Sequence, residues 1–208
     1  MKAALSIVSV FCVVSAIIPG LPAGQDLMAE SWEASINQTQ PPQKVLDAIG
    51  LKPGMIVGEV GSGRGRYTVR LAERVGPGGR VYANDIDPQA LDYLARRIKA
   101  NRFENVSIIT GKIHEPGFPP GALDLVFMIN VYNSFEDRVR YLRNILPALK
   151  PDGRLAIVLV DPAKWPVVPE RSATREQFLA GAAQAGYILE KEETFLIHDN
   201  IYVLRPKR

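Results

Sequence analysis

The sequence contains only one cysteine and two histidines among its 208 residues. Cys12 lies in an apolar N-terminal stretch, so the rest of the chain has neither a disulfide nor a thiol nucleophile. His114 and His198 are far apart, and no His-x-x-His pattern or acidic cluster with metal-ligand spacing accompanies them. These absences argue against a metal site and against a Ser-His-Asp triad. We predict that both histidines are ordinary loop residues.

The chain also lacks a large excess of charge of either sign. Its 25 basic and 22 acidic residues give a formal net charge of +3, and the two signs alternate along the sequence. No basic patch indicates a nucleic-acid partner. The length suits one domain with a sizeable core and is short for two. The sequence does not indicate an oligomeric state.

Residues 1–24 differ in composition from the rest of the chain. Lys2 precedes an uncharged apolar stretch from Ala3 to Ile18, and small residues and prolines follow it. This pattern is typical of a secretory signal peptide. An uncleaved N-terminal anchor is the alternative, although the apolar stretch is short for a membrane-spanning helix. We therefore expect an exported (periplasmic or secreted) or anchored protein, with membrane contact only through residues 1–24. It would be cytoplasmic if the leader is not functional.

Residues 25–43 are mostly polar and include the pair Pro41-Pro42. Trp32 and Ile36 have helical spacing, so a short amphipathic lid is conceivable. We predict a flexible lead-in or lid, ordered mainly where Trp32 docks, before a folded domain at residues 44–208.

A glycine-rich turn follows the first predicted strand of this domain. The apolar run from Met55 to Val60 reads as a buried strand, and Gly61, Gly63 and Gly65 separate it from a helical pattern. Glycines allow a ligand to approach the backbone, and the helix start offers unpaired N–H groups. A dinucleotide fingerprint would require a third glycine at the position of Arg66. An NAD-binding interpretation is therefore disfavoured.

Two acidic residues follow the second predicted strand. Asp85 would end that strand, where a carboxylate can accept hydrogen bonds from the ribose hydroxyls of an adenosine ligand. Asp87 precedes Pro88, and proline is favoured in the first turn of a helix. We therefore assign the ribose to Asp85 and the helix N-cap to Asp87.

The remaining pattern alternates strands with helices. We expect Leu91, Leu94, Ala95 and Ile98 to face the core from a helix whose Arg96, Arg97 and Lys99 are solvated. A capping box is predicted at Thr174 and Gln177. Further strands are predicted at 105–110, 123–129 and 155–160, after a turn at 149–154. The last two, 187–198 and 201–204, would form an antiparallel hairpin joined by Asp199-Asn200, because so short a connection cannot join parallel strands. The alternation predicts an α/β fold with a mainly parallel sheet.

Three sequence motifs occur in order along the chain: Glu59-x-Gly61-x-Gly63-x-Gly65, V-Y-A-N-D-I-D-P and L-K-P-D-G-R-L. Over about residues 44 to 204 the chain resembles the class I S-adenosylmethionine-dependent methyltransferases. The resemblance implies a Rossmann-like three-layer α/β/α sandwich, with a mostly parallel seven-stranded sheet ending in an antiparallel hairpin. It also implies methyl transfer from S-adenosylmethionine to a small-molecule acceptor. By resemblance the cofactor residues are Glu59, Gly61, Ser62, Gly63, Gly65, Asp85, Ile86, Lys112, Ile113 and Asn130, and the substrate-side candidates are Asn130, Tyr132 and Asn133.

The chain departs from the family pattern at two places. Lys112 stands where many relatives carry an acid for the adenine amino group, so adenine would depend on the backbone near Lys112 and Ile113 and on apolar packing. No histidine lies near Asn133, so no general base is assigned, and Tyr132 and Asn133 are equally compatible with packing and capping. The alternatives are a non-catalytic envelope binding protein that retains the fold and, with less support, an NAD-dependent oxidoreductase.

Overall fold

The computed structural model describes residues 26–165, 167 and 171–207. Its seven strands are β1 (Ile56–Val60), β2 (Arg80–Asp85), β3 (Val106–Thr110), β4 (Leu123–Ile129), β5 (Leu149–Val160), β6 (Tyr187–Glu193) and β7 (Asp199–Pro206). They form one sheet in the order β3-β2-β1-β4-β5-β7-β6. The first five pair in parallel, and β7 is antiparallel to both of its neighbours. The predicted fold class is confirmed.

Helices cover both faces of the sheet. They are α1 (Ser31–Thr39), α2 (Pro42–Ala48), α3 (Thr68–Val75), α4 (Pro88–Ala100), α5 (Arg138–Ile145) and α6 (Arg175–Gln184). Alternate residues of β4 show the two faces, because successive side chains of a strand point to opposite sides. Val126 and Met128 share one core with residues of α5 and α6, whereas Leu125 and Phe127 share the other with residues of α2 and α3. Within the described ranges, no helix combines the length and apolarity needed to cross a membrane.

Local sequence signals are confirmed at the helix starts. The Asp87 side chain accepts a hydrogen bond from the Gln89 amide and caps α4. Thr174 and Gln177 form the predicted capping box at the start of α6. Each of these motifs needs only partners a few residues away, so the pattern alone suffices to predict it.

Two predicted strand boundaries are wrong. Residues 149–154 belong to β5 and do not form a separate turn, because Leu149 pairs with Leu123 before a register shift accommodates the Pro-Asp-Gly stretch. Asp199 and Asn200 do not join a hairpin. They begin β7 and pair with Val160 and Leu159 of β5. The joint is residues 194–198, between the end of β6 and the start of β7.

The prediction for residues 25–43 also needs correction. The helical spacing of Trp32 and Ile36 is confirmed, since both lie in α1. The docking of Trp32 is wrong, because 48% of its surface is exposed. The buried residues here are polar: Glu33 and Gln40 are 4% and 3% exposed. The predicted faces of α4 are wrong at two positions, because Ala95 is exposed and Arg97 is fully buried.

Candidate functional site

The glycine loop lies at the carboxyl end of β1, beside the end of β2. Gly61, Gly63 and Gly65 all have positive φ, at 72°, 53° and 91°. A Cβ atom on Gly61 would lie 2.8 Å from Val131, whereas one on Gly63 would meet nothing within 4 Å. The loop therefore packs tightly at one glycine and presents bare backbone to open space at the next. The Gly63 amide donates a hydrogen bond of 2.7 Å to Asp85 Oδ2.

A cavity of about 260 Å³, called here the small cavity, lies beside this loop. Asp85 lines it together with Ile86 and Ile113, which are 62% and 65% exposed despite being large and apolar. The Asp85 carboxylate accepts from the amides of Gly63 and Asp87, and two oxygens with about four lone-pair sites retain room for further donors. Apolar surfaces that flank a carboxylate fit an adenosine group, with its base on the isoleucines and its ribose hydroxyls on Asp85.

Lys112 and Ser62 take different places around the small cavity. Lys112 contributes to its lining, but the ammonium group pairs with Glu115 at 3.3 Å and the side chain is 79% exposed. The Ser62 amide donates to the backbone oxygen of Asn84, and its buried hydroxyl has no hydrogen-bond partner among the described residues. Ser62 therefore has a polar group available beside the loop.

Glu59 is buried between β1 and the start of α3. Its Oε2 accepts a 2.5 Å hydrogen bond from the Thr68 hydroxyl, and only 2% of its surface is exposed. Burial raises the pKa of the Glu59 carboxyl to about 8. Glu59 lines neither of the cavities described in this section. In this structure it attaches α3 to the strand before the glycine loop.

A larger cavity of about 1120 Å³, called here the large cavity, adjoins the small one and shares Ser134 with it. Trp32 and Ile36 of α1 form one wall, and Trp165 lies in the lining with His198. The rings of Trp165 and His198 are 4.5 Å apart between centroids. The small cavity lies at the carboxyl ends of β1 and β2 and includes Val131 after β4, so it spans the point between β1 and β4 where the strand order reverses. The large cavity adjoins it at the carboxyl ends of β4 and β5. Ligands of open α/β sheets bind at such a switch point.

A buried polar network lies between the glycine loop and the large cavity. Gln40 Nε2 donates to Asn130 Oδ1 and to Asp199 Oδ2, both at 3.0 Å. Arg66 Nη2 donates to Gln40 Oε1 at 2.6 Å, and Nη1 donates to Asn37 Oδ1 at 2.9 Å. Arg66 therefore ties the loop to the α1–α2 segment at the position where a dinucleotide fingerprint would need glycine. Burial raises the pKa of the Asp199 carboxyl above its ordinary value.

A buried ion cluster attaches α1 to α4 and to the same loop. Arg97 donates to Glu33 at 2.6 and 2.8 Å, pairs with Asp26, and donates to the Arg64 carbonyl at 3.0 Å. The Arg97 side chain is completely buried, and hydrogen bonds to the two acids raise its pKa although burial opposes this. The interpretation of Arg97 as a solvated residue is therefore wrong, since it holds the lead-in against the domain.

The structure separates the substrate-side candidates. Asn130 and Asn133 line the large cavity, and Asn133 Oδ1 also accepts from the Ala173 amide. Tyr132 is 3% exposed and packs edge-to-face on Phe178 at 5.1 Å between ring centroids. Tyr132 lines neither cavity, so of its two predicted roles the structure supports packing in the core. Gln40 and Asp199 were missed, because their contacts join segments up to 159 positions apart and no local motif marks them.

Comparison with known proteins decides the family. A family model described as a methyltransferase domain matches residues 51–196. The chain belongs to this methyltransferase-domain family. The match spans the sheet from before β1 to the segment that precedes β7, so it includes the glycine loop, Asp85 and the lining of the small cavity. The α1 wall of the large cavity and Asp199 lie outside the match.

Two curated relatives and one solved structure illustrate the relationship of this methyltransferase-family chain. It is 32% identical to nocamycin O-methyltransferase of Saccharothrix syringae over 115 residues, 55% of the chain and 41% of that protein. It is 25% identical to the ubiquinone/menaquinone biosynthesis C-methyltransferase UbiE of Vibrio campbellii over 146 residues, 70% of the chain and 56% of that protein. The chain thus spans about half the length of these curated relatives. A SAM-dependent methyltransferase from Aquifex aeolicus has the same fold, with a TM-score of 0.76 and 23% identity over 84% of this chain and 96% of the other.

Proposed function

We propose that this chain transfers the methyl group of S-adenosylmethionine to a small-molecule acceptor. The observation that carries the proposal is the small cavity at the switch point of the sheet together with the large cavity that adjoins it. One is lined by a carboxylate with apolar side chains beside it, and the other is wider and has aromatic walls. Membership of the methyltransferase-domain family supports this function over the non-catalytic and NAD-dependent alternatives.

The small cavity would hold the nucleoside part of the cofactor. Asp85 would accept the ribose hydroxyls, and Ile86 and Ile113 would pack on the adenine. The open backbone at Gly63 would let the cofactor approach the loop. S-adenosylmethionine supplies a methyl group that its sulfonium already activates. The chain therefore needs only to align the acceptor with that methyl group and to exclude water.

The large cavity would hold the acceptor. Its volume of about 1120 Å³ is slightly above the range of about 300–1000 Å³ for small-molecule sites, so it has room for a small-molecule acceptor. The lining combines tryptophan and aliphatic side chains with a few polar groups, as is usual for such sites. The names of the two curated relatives refer to small molecules, nocamycin and the quinones, and a small molecule is also what we propose here. We propose no nucleic-acid partner.

Calorimetric titration of the full chain tests the cofactor assignment. S-adenosylmethionine, S-adenosylhomocysteine and NAD are titrated in parallel. Binding of the first two without NAD supports the proposal, and an acceptor screen with labelled S-adenosylmethionine then follows. Binding of NAD alone would instead support an oxidoreductase. No binding of any of the three would favour the envelope binding protein.

We further propose that residues 1–24, which lie outside the described residues, export the protein or anchor it. The basis is the Lys2 start and the uncharged stretch to Ile18. Fractionation followed by mass measurement of the purified protein tests this. A mature species in the periplasm or medium indicates cleavage, and a full-length species in the membrane fraction indicates an anchor. Full-length protein confined to the cytosol contradicts the proposal.

A further inference from the structure

We propose that Asp199 is the proton acceptor of the reaction and that the large cavity takes a planar acceptor bearing an aromatic hydroxyl group. This inference rests on the proposed function. It assigns a catalytic residue, because the Asp199 carboxylate would touch the reacting hydroxyl.

The walls of the large cavity suit a flat aromatic ring. Trp32, Trp165 and Val167 line it and are 48%, 41% and 77% exposed. Aromatic and aliphatic surfaces of this size are normally covered, and exposed apolar patches mark binding sites. A flat ring that packs on these side chains would bury this surface and gain stacking contacts.

Asp199 is a buried carboxylate that forms no ion pair with any residue in the described part of the chain. Only 3% of its surface is exposed, and within the described ranges its carboxylate has one hydrogen-bond donor, Gln40 Nε2. The nearby Lys164 ammonium binds the backbone oxygen of Asp199 and two other carbonyls, and Arg66 donates to Gln40 and Asn37. A buried charge that lacks a direct counter-ion is costly and marks a functional candidate. Burial also makes this carboxylate a stronger base, since it raises the pKa of Asp199.

The position of Asp199 fits proton transfer beside the cofactor. One nitrogen, Gln40 Nε2, bridges Asp199 to Asn130. Asn130 directly follows β4 and precedes Val131, which lines the small cavity. The Asp199 carboxylate therefore lines the large cavity, and only the Gln40 side chain separates it from Asn130, which lies next to the small cavity.

The proposed step balances as a substitution. The acceptor hydroxyl gives its proton to Asp199, and its oxygen forms a bond to the methyl carbon. The sulfur–methyl bond breaks, and its electron pair remains on sulfur, which leaves a neutral thioether. Asp199 then releases the proton to solvent. An aromatic hydroxyl is only weakly acidic, so a general base is useful here although methyl transfer itself needs little help.

Several charged and titratable groups face Asp199 from the surrounding elements. The glycine loop contributes Arg66, the loop after β5 contributes Asp161 and Lys164, the neighbouring His198 precedes Asp199, and Arg171 lines the same cavity. Burial raises the pKa of Asp199 and dominates over the hydrogen bond from Gln40 and the interactions with His198, Lys164 and Arg66, which lower it. We therefore expect the rate on a phenol to fall as pH falls through the raised pKa of Asp199.

The decisive experiment compares Asp199→Asn with the matched control Asp92→Asn, which removes an exposed carboxylate of α4 that lines neither cavity. Both are assayed with S-adenosylmethionine and a series of substituted phenols. We expect Asp199→Asn to lower kcat about 10²–10⁴-fold for a weakly acidic phenol. The loss should shrink for phenols that are already ionised at the assay pH, and Asp92→Asn should retain the wild-type rate.

A second readout needs no turnover. With S-adenosylhomocysteine bound, 4-nitrophenol is titrated optically in the wild type and in Asp199→Asn. A neighbouring carboxylate disfavours a second negative charge, so the bound phenol should have a higher pKa in the wild type. If the variant does not fold, the wild type alone decides. Its rate on a weakly acidic phenol should fall as pH falls through the raised pKa of Asp199, whereas its rate on a phenol that stays ionised over that range should not.

Three results would overturn the inference. Methylation of amines or thiols but not of phenols contradicts the substrate class. An equal loss of rate on all phenols, with no shift in the nitrophenol pKa, assigns Asp199 a structural role. A wild type that binds neither S-adenosylmethionine nor S-adenosylhomocysteine overturns the proposed function, and the inference with it. That failure is distinguishable because it appears before any acceptor is added.

Discussion

At the scale of single residues, Asp85 and Asp87 lie two positions apart and have different partners. Asp85 accepts from the Gly63 amide and lines the small cavity, whereas Asp87 caps α4. Hydrogen bonds to a charged group contribute about 1.5–3 kcal/mol, so Asp85→Ala should weaken S-adenosylhomocysteine binding at least about tenfold. Calorimetry measures this change. Asp87→Ala is the control: it should cost about 1 kcal/mol of stability and leave the affinity unchanged. Equal affinities in the two variants would contradict the ribose assignment.

Glu59 predicts a pH dependence of stability. Burial raises its pKa from 4.5 to about 8, so between these values the folded state holds a proton that the unfolded state has released. The free energy of unfolding should therefore fall as pH rises through this window, by about 1.4 kcal/mol per pH unit from this group. Glu59→Gln should remove that contribution, as measured by urea unfolding at a series of pH values. The exposed Glu73→Gln on α3 is the control and should keep the wild-type slope. An unchanged slope in Glu59→Gln would contradict the assignment.

Residue roles could be predicted from the sequence where their partners are local. The caps at Asp87 and Thr174 use amides two or three positions away, and both were identified. Arg97 could not be placed, because its partners Asp26 and Glu33 lie 71 and 64 positions away. Read by itself, an arginine in a run of basic residues on a helix indicates a solvated surface. Burial of a charge is decided by partners that only the tertiary structure brings together.

At the scale of elements, α1 is attached to the domain by polar groups. Arg97→Met would leave Asp26 and Glu33 buried without their cation. Breaking a buried pair in this way costs about 3–5 kcal/mol. We expect that loss in urea unfolding, together with faster amide hydrogen exchange in residues 31–39. Arg96→Met, on the exposed side of the same helix, should change stability by less than about 0.5 kcal/mol. Wild-type exchange rates in α1 of Arg97→Met would show that other contacts hold the helix.

Elements were predictable where hydrophobic periodicity is strong. The run Leu123–Ile129 was placed correctly because an apolar stretch of this length, bounded by polar residues, fits a buried strand. The start of β5 was not, since Pro151, Asp152 and Gly153 have turn propensity and pairing with β4 overrides it. Asp199 and Asn200 were predicted wrongly for the same reason. Both residue types favour turns, but here strand pairing with β5 overrides that propensity.

At the scale of the whole molecule, the order of strand–helix units determines the sheet, and this order could be read from the sequence. A right-handed crossover rule and short connections leave few topologies for such a pattern. The cavities could not be read in the same way. The large cavity exists because α1 forms one of its walls, and the position of α1 depends on the contacts of Arg97 and Gln40 with residues far away in the sequence. Fold follows from sequence order, whereas the shape of the site follows from long-range polar contacts.

The unfolding temperature with and without ligand tests whether the small cavity binds the cofactor, because a ligand that binds only the folded state raises the unfolding temperature. S-adenosylhomocysteine at 100 times its Kd should add about 2.7 kcal/mol. For a domain of this length each kcal/mol raises Tm by about 2–4 °C, so we expect an increase on the order of 5–10 °C. NAD should cause no shift, because Arg66 occupies the position of the third fingerprint glycine and is held by Asn37 and Gln40. Asp85→Ala, at the same ligand concentration, should show a much smaller increase. A shift with NAD but not with S-adenosylhomocysteine would reassign the small cavity, and the proposed methyl transfer would fail with it.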